Sequence, residues 1–299
     1  VMVQAEDIDA YKKALTEETK FIFLEVLANP SGVIVDLEAV ARIAEDAGIP
    51  LIVDNTMPTP YLCKPLDFGA NIVTYSTTKY ISGHGTAMGG AVIDGGNFDW
   101  GKYADKYPKL TGQDTCYKDT NFFETFGNKA MFVHNHAVGL KDLGICQQPM
   151  NAWLTLTGLE TLHLRMERHC ENALKVAQYL EQHEAVEWVS YAALENSPYK
   201  KLQEKYMPKG ASSLFSFGLK GGYDAGVYFV EHVKLAKHLA NLGDTRTLVI
   251  HPASTTHSPL SEEHKIKANA GPEVIRISVG IEHIDDIIAD LDQALSYKK

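Results

Sequence analysis

Short apolar runs that alternate with amphipathic stretches are the feature that most constrains the fold of this chain. In the first half these runs lie at residues 21–24, 51–53 and 72–75. A turn-forming sequence follows the first run at 29–32. Apolar residues then recur at helical spacing over 36–47, with Asp36 as a candidate N-cap and Gly48 as a candidate stop. This alternation is typical of βαβ units, so it predicts an α/β fold with a mainly parallel sheet.

The second half has a different pattern. A long helix is predicted from about residue 151 to 182, with Trp153 and Trp188 interpreted as core residues. Separate strands are predicted at 214–219, 248–250 and 274–279, and a C-terminal helix begins near Ile284. This order predicts an α+β arrangement. We therefore expect two domains, residues 1–162 and 163–299, which agrees with the length of 299 residues.

Polar residues follow two of the predicted parallel strands. Asp54 ends one strand, and Lys79 lies 25 residues later, just after the next strand. Ser76 and Thr78 are immediately upstream of the lysine. Parallel strands bring their carboxyl ends to one edge of the sheet, where ligands bind in open α/β folds. We therefore expect these four side chains to line one crevice.

A lysine, a carboxylate and two hydroxyls in one crevice suit pyridoxal phosphate. Lys79 supplies an amine for the cofactor aldehyde, and Asp54 supplies a carboxylate that keeps the ring nitrogen protonated. Ser76 and Thr78 are natural donors to a phosphate. Each residue alone also has an ordinary structural interpretation, because Asp after a strand is common in turns and Lys is usually a solvated charge. The ordered combination favours the cofactor site.

Composition and charge exclude several classes of protein. Lys and Arg total 28 against 38 Asp and Glu, a net charge of −10, and no basic cluster is present. The sequence therefore predicts no nucleic-acid partner. No apolar run approaches the roughly 18 residues that a membrane span needs.

Cysteine and histidine spacing argue against disulfide and metal chemistry. The four cysteines lie far apart, at Cys63, Cys116, Cys146 and Cys170. This pattern, with no visible signal peptide, indicates free thiols in a reducing cytoplasm. The pairs His134/His136 and His251/His257 lack a third ligand at suitable spacing, so we expect no metal site.

Several segments resemble the Cys/Met metabolism family of enzymes that use pyridoxal phosphate. The lysine signature is carried by Asp54-Asn55-Thr56 and by Ser76-Thr77-Thr78-Lys79-Tyr80-Ile81-Ser82-Gly83-His84-Gly85. The resemblance continues through residues 29–30, 158–162, 165–169, 251–258 and 276–282. It covers essentially the whole chain. It implies a type I fold similar to aspartate aminotransferase, with a partial large domain and an α+β C-terminal domain.

The family resemblance implies a role for each matching residue. Lys79 matches the Schiff-base lysine, which also acts as a base, and Asp54 matches the partner of the ring nitrogen. The remaining matches are Ser76 and Thr78 to the phosphate hydroxyls, Asn29 to the ring-hydroxyl partner, Arg276 to the arginine that binds the substrate carboxylate, and Asn241 and Thr256 to neighbours of that arginine. The strand pattern supports Arg276, because Ile275 and Ile277 point to the opposite face.

Within this family, segments 95–98, 196–200, 206–210 and 239–244 are most similar to the O-acetylhomoserine sulfhydrylase branch. The implied reaction converts O-acetyl-L-homoserine and sulfide, or methanethiol, into L-homocysteine, or methionine, and acetate. The family also implies methionine biosynthesis, a cytoplasmic location and a homotetramer built as a dimer of dimers. Alternatives are a cystathionine γ-synthase, a methionine or cystathionine γ-lyase, and a non-catalytic fragment that cannot hold the cofactor. The last alternative rests on family segments that precede the position matched by Val1, so we expect the chain to correspond to the C-terminal part of such an enzyme.

Overall fold

Two sheets organise the computed structural model, which describes residues 1–30 and 32–297. Ser31, in the turn predicted at 29–32, lies outside the described residues. The first sheet contains β1 (Ile22–Glu25), β2 (Leu51–Asp54), β3 (Ile72–Ser76) and β4 (Gly90–Asp94) in that order. β1, β2 and β3 are parallel, and β4 is antiparallel to β3. The predicted mainly parallel sheet is confirmed.

The second sheet has five strands, β7 (Val186–Ser190), β8 (Leu214–Leu219), β9 (Lys237–His238), β10 (Leu248–Ile250) and β11 (Val274–Ser278). Their order across the sheet is β7-β8-β11-β10-β9. The pairs joining β7 to β8, β8 to β11 and β11 to β10 are antiparallel, whereas β9 is parallel to β10. The short strands β5 (Gln113–Asp114) and β6 (Thr120–Asn121) form a separate hairpin between the two sheets in sequence. The predicted α/β first half and α+β second half are both confirmed.

Helices surround the two sheets. The earlier ones are α1 (Ile8–Ala14), α2 (Leu37–Asp46), α3 (Thr59–Leu62), α4 (Pro108–Thr111), α5 (Phe122–Phe126) and α6 (Ala130–His134). The later ones are α7 (Pro149–Glu160), α8 (Leu162–Glu181), α9 (Lys200–Tyr206), α10 (Gly222–His232), α11 (Glu262–Lys267) and α12 (Ile284–Ala294). Among the described residues, no helix has the length and apolar character to cross a membrane.

Helix α2 follows the rules that predicted it. The Asp36 carboxylate accepts a hydrogen bond from the Ala39 amide at 3.3 Å, as an N-cap should. Gly48 adopts the left-handed conformation, with φ of +61°, just after the helix. The apolar face buries Val40 and Ile43 in the core. The predicted cap and stop are both confirmed.

The single long helix predicted over 151–182 is wrong. The chain forms α7 and α8 instead, with a break at Thr161, whose φ of −107° and ψ of 7° lie outside the helical range. The prediction of Trp153 as a core residue is also wrong, because its side chain is 61% exposed. Trp153 lies on a face of α7 that no described element covers. Trp188 is half-buried.

The domain division at 162/163 stays a prediction. The first sheet lies before it and the second sheet after it, while α8 begins at Leu162. Buried side chains from both parts join in one continuous core, which includes Val53 of β2 and Ile277 of β11. The two parts are therefore packed closely, and side chains from both can reach a common site.

Buried His169 joins α8 to the end of β11. Its Nδ1 lies 2.7 Å from the Val279 carbonyl oxygen, whereas its buried Nε2 has no partner among the described residues. Burial lowers the pKa of His169 to about 4, and the Arg165 charge adds to this effect. The folded protein therefore holds this imidazole neutral, with the Nδ1 proton donated to the carbonyl.

We expect His169 to make the protein less stable in acid. In the unfolded chain an ordinary histidine binds its proton near pH 6.5, whereas the folded protein binds it only near pH 4. The contribution of neutral His169 to the free energy of unfolding is therefore fully present above pH 6.5. It decreases by about 3 kcal/mol as the pH falls from 6.5 to 4. Urea unfolding between pH 4 and 7.5 measures this slope. His169→Gln should flatten it, whereas exposed His163→Gln should leave it unchanged. Equal slopes in all three proteins would contradict the assignment.

Candidate active site

The carboxyl ends of β1, β2 and β3 meet at one edge of the first sheet. Glu25 is paired in register with Asp54, and Asp54 with Thr74 of β3. An Asp54 carboxylate oxygen accepts from the Thr56 amide at 2.8 Å, and the Thr56 hydroxyl accepts from the Ser76 amide at 2.8 Å. These bonds tie the turn after β2 to the end of β3. They hold Asp54 and Ser76 at the same edge, where the sequence predicts them.

A tight loop after β3 carries Lys79. The Ser82 amide donates to the Thr77 carbonyl at 3.0 Å, and the Gly83 amide donates to the Lys79 carbonyl at 2.8 Å. Gly83 has a φ of +75°, a conformation that few other residues adopt. The loop therefore folds back on itself directly after the lysine, so that the Lys79 backbone has a fixed position at the sheet edge.

The Lys79 amine lies against residues from the second half of the chain. Its Nζ donates to the Asn241 side-chain oxygen at 2.7 Å. Partial burial lowers the pKa of Lys79 from its ordinary value, and the positive charge of Arg276 lowers it further. A larger fraction of this amine is therefore neutral near pH 8 than for an exposed lysine. A neutral amine is the form that acts as a nucleophile or as a base.

Arg276 lies at the centre of β11. Its neighbours Ile275 and Ile277 are fully buried, as the alternating pattern predicts. The guanidinium donates to the Asn241 carbonyl at 3.1 Å and to the Asn29 side-chain oxygen at 3.4 Å. Burial lowers the pKa of Arg276 to about 10, so the group is charged at neutral pH. Within residues 1–30 and 32–297 no carboxylate pairs with it. A half-buried guanidinium of this kind suits an external carboxylate.

The predicted phosphate donors differ in their surroundings. The Thr78 hydroxyl accepts from the Gly89 amide at 3.0 Å and lies 3.3 Å from the Gly89 carbonyl, to which it donates. Ser76 ends β3 with a half-buried side chain and pairs with Gly90 of β4. Thr78 must therefore exchange its long bond to Gly89 before it can donate to another group. Ser76 is the more available of the two.

The structure thus brings together Lys79, Asn241, Arg276 and Asn29 in one hydrogen-bonded group. It places Asp54, Ser76 and Thr78 at the adjoining sheet edge. Thr256 lies apart from this group, since its hydroxyl bonds the His257 ring at 2.9 Å on an exposed segment. The structure joins it to neither Arg276 nor Lys79.

Sequence reasoning missed the residues that hold the Lys79 loop. Tyr80 is fully buried, and its hydroxyl contacts Ser213 at 2.9 Å and Ser212 at 3.1 Å. From the other side, the Thr245 amide donates to the Gly83 carbonyl at 2.9 Å. Gly243 packs so closely that a Cβ there would lie 2.6 Å from the Tyr80 amide nitrogen. A large aromatic residue directly after Lys79 is the signal that could have indicated this anchor.

We expect Tyr80→Phe to destabilise the protein. The change removes a buried hydroxyl and leaves Ser212 and Ser213 without that partner, at a cost of about 1–3 kcal/mol. Urea unfolding measures the loss. Tyr61→Phe is the matched control, because the Tyr61 hydroxyl makes its 2.5 Å bond to Glu167 at the surface. A loss for Tyr80→Phe no larger than that of the control would show that the buried hydroxyl network contributes nothing.

Comparison with known proteins identifies the family. A family model described as Cys/Met metabolism PLP-dependent enzyme matches residues 1–296. The chain belongs to this family. It uses pyridoxal phosphate, as the resemblance implies, and the prediction of that cofactor is confirmed.

Two similar proteins come from different organisms. The chain is 46% identical over 294 residues to a homocysteine synthase of Schizosaccharomyces pombe, covering 98% of this chain and 68% of the relative. It is 43% identical over 302 residues to an O-acetyl-L-homoserine sulfhydrylase of Leptospira meyeri, with the same coverage. The chain thus spans about two thirds of the length of these relatives.

A solved structure is also similar. It is a crystal structure assigned to an O-acetylhomoserine (thiol)-lyase of Campylobacter jejuni, with N'-pyridoxyl-lysine-5'-monophosphate in the chain. The TM-score is 0.91 at 40% identity, over 97% of this chain and 69% of that chain. The likeness confirms the predicted type I fold of this family.

The donor set of this site fits the family cofactor. Lys79 provides a primary amine with a lowered pKa for the aldehyde, and Asp54 provides a carboxylate at the adjoining strand end. Ser76 provides a hydroxyl for the phosphate, and Asn29 provides an amide near Arg276. Each group of the cofactor therefore has a chemically suitable residue at the edge of the first sheet.

Proposed function

We propose that this protein catalyses γ-replacement on O-acetyl-L-homoserine, with sulfide or methanethiol as the incoming nucleophile. The products are L-homocysteine or methionine, and acetate. The observation that carries the proposal is the group formed by Lys79, Asn241 and Arg276. It places a reactive amine next to a guanidinium that has no carboxylate partner among the described residues. The names of the relatives from S. pombe and L. meyeri support this choice of substrate.

The cofactor would be held at the edge of the first sheet. Lys79 would bind its aldehyde, Asp54 would pair with its ring nitrogen, and Asn29 would contact its ring hydroxyl. Ser76 and Thr78 would hold its phosphate. When bound, pyridoxal phosphate supplies an electron sink for negative charge that develops next to the substrate nitrogen.

The residues of the chain then bind the substrate and move its protons. Arg276 binds the α-carboxylate with two parallel N–H donors, which fixes the substrate relative to the amine. Once the substrate nitrogen has displaced Lys79 from the aldehyde, its neutral Nζ would remove protons from Cα and Cβ of the substrate, so that acetate leaves from Cγ. After the sulfur nucleophile has added at Cγ, Nζ would return protons to Cβ and Cα. Asn241 orients that Nζ through its side-chain oxygen and supports Arg276 through its carbonyl. We include Thr256 as a substrate-side residue on the family resemblance alone.

Product analysis tests the proposal. Borohydride reduction of the protein with added pyridoxal phosphate should give a phosphopyridoxyl mass on the peptide that contains Lys79. The same preparation, given O-acetyl-L-homoserine and sulfide, should release acetate and homocysteine in equal amounts. Cystathionine formed from added cysteine would identify a cystathionine γ-synthase, and ketobutyrate without sulfide would identify a γ-lyase. A protein that takes up no cofactor would indicate a non-catalytic fragment.

We further propose that copies of the chain associate in the cytoplasm as a homotetramer, a dimer of dimers, and that residues 1–162 and 163–299 are its domains. The exposed apolar face of α7 supports an association, since Met150, Trp153 and Leu156 are each more than half exposed. Light scattering in solution measures the number of copies, and a monomer at micromolar concentration would contradict this proposal.

A further inference from the structure

A buried arginine of α8 holds the loop that carries Lys79. Arg165 is 5% exposed, and it donates through Nη1 to the Tyr80 carbonyl at 2.7 Å. Through Nη2 it donates to the Ile81 carbonyl at 3.2 Å and to the Gly158 carbonyl at 2.7 Å. Within the described ranges no carboxylate pairs with Arg165. Its Nε donates to the Thr161 hydroxyl at 3.2 Å. The two terminal nitrogens therefore bond backbone oxygens, and two of these carbonyls directly follow Lys79.

The packing around Arg165 leaves no spare room. A Cβ at Gly83 would lie 2.2 Å from Nη1 of Arg165, and a Cβ at Gly158 would lie 2.3 Å from the Ser82 carbonyl oxygen. Gly158 lets α7 meet the Lys79 loop backbone to backbone, and Gly83 leaves the space that the Arg165 guanidinium occupies. In the part of the chain that is described, Arg165 alone donates hydrogen bonds to the Tyr80 and Ile81 carbonyls. Among the described residues, the carbonyls at these two positions have no other hydrogen-bond donor.

We propose that Arg165 is a positioning residue for Lys79. By fixing the Tyr80 and Ile81 carbonyls, it keeps the Lys79 amine turned towards Asn241 and Arg276 and away from solvent. This inference rests on the proposed function of Lys79 as the cofactor-binding lysine and base. Arg165 touches neither the amine nor the guanidinium of Arg276, so it acts only through the backbone.

Three variants isolate this role. Arg165→Met removes all the donors and keeps an apolar stem of similar length. Arg165→Lys keeps the charge and the stem but replaces the planar fork with a single ammonium group, which reaches fewer of the carbonyls. Arg168→Met is the matched control, since Arg168 lies one turn along α8, is exposed, and pairs with Glu171 at 3.6 Å.

The readout is the reactivity of the Lys79 amine rather than catalysis. Protein dialysed free of pyridoxal phosphate is labelled with acetic anhydride from pH 7 to 11, and the peptides are quantified by mass spectrometry. The acetylation profile of Lys79 gives its pKa, with exposed Lys64 of the same digest as internal reference. Arg276 is the charged group that faces the amine, and it is unchanged in all variants.

In Arg165→Met we expect the loop to relax and the Lys79 amine to meet more solvent, so its pKa rises. Each unit of increase lowers the neutral fraction at pH 8 by about tenfold, and labelling falls with it. Arg165→Lys should show a smaller decrease in Lys79 labelling at pH 8, and Arg168→Met should show no decrease.

An unchanged Lys79 profile in folded Arg165→Met would overturn the proposal, even if thermal unfolding occurs earlier, because a purely structural role changes stability alone. If circular dichroism shows that Arg165→Met does not fold, Arg165→Lys decides in the same way. The labelling needs neither cofactor nor substrate. If the unsubstituted protein fails to catalyse the reaction, the proposed function is contradicted. The labelling result for Arg165 would still stand, because it does not depend on that reaction.

Discussion

Replacing Lys79 with alanine is expected to abolish fixation of pyridoxal phosphate by borohydride and to lower acetate release by at least about 10³-fold. The variant loses the amine for the cofactor aldehyde and the base for the substrate protons in one change. It should remain folded, because the anchors of the loop are the Tyr80 side chain and the Arg165 contacts to the following carbonyls. Peptide mass mapping and a sulfide-dependent acetate assay measure the two effects.

Lys64→Ala is the control for this experiment. Lys64 is exposed and lies in the segment before β3. Its loss should therefore change neither the fixation of pyridoxal phosphate by borohydride nor the rate of acetate release. Phosphopyridoxyl found on another lysine of Lys79→Ala, with activity retained, would show that the site has been assigned to the wrong residue.

Arg276→Ala is expected to raise the KM for O-acetyl-L-homoserine much more than it lowers kcat. Loss of a half-buried, charge-assisted clamp on a carboxylate costs about 2–4 kcal/mol, or roughly 30- to 1000-fold in binding. Arg276→Lys should recover only part of this loss, since a single ammonium cannot make two parallel bonds. Steady-state kinetics with varied O-acetyl-L-homoserine separate the two parameters.

The same substitution has a second expected effect. Because the charge of Arg276 helps to lower the pKa of Lys79, its removal should raise that pKa, and the rising limb of the pH–rate profile should move to higher pH. Exposed Arg42→Ala on α2 should alter neither KM nor the profile. A KM that stays within twofold in Arg276→Ala would show that another group binds the carboxylate.

Part of this site follows from the sequence through short-range rules. The βαβ pattern is enough to place Asp54 and Lys79 at one edge, because parallel strands leave no other arrangement of their carboxyl ends. The alternation around Arg276 likewise predicts which way this side chain points. Both inferences need only the strand pattern and the alternation of side chains between the two faces of a strand. The structure has Asp54 and Lys79 at one sheet edge, and Arg276 on the face opposite Ile275 and Ile277.

Other parts depend on contacts between distant segments. Only the family resemblance indicated Asn241, which lies in a loop with no periodicity, and nothing in the sequence predicted its bond to Lys79. The break at Thr161 lies between Gly158 and Arg165, which both contact the Lys79 loop. A helical pattern does not encode contacts of this kind. Trp153 has a large aromatic side chain of the kind found in cores, and yet it is exposed. Burial depends on what lies opposite, which the sequence of one helix does not specify.

The reactive amine and the guanidinium come from opposite halves of the chain. Lys79 follows β3 of the first sheet, whereas Arg276 is on β11 of the second sheet. The 241–245 segment packs on Tyr80 and donates a hydrogen bond to the Gly83 carbonyl. The first half alone therefore lacks the guanidinium of Arg276, and the second half alone lacks the Lys79 amine. Chemical competence should therefore appear during refolding only when the halves dock, as one late event.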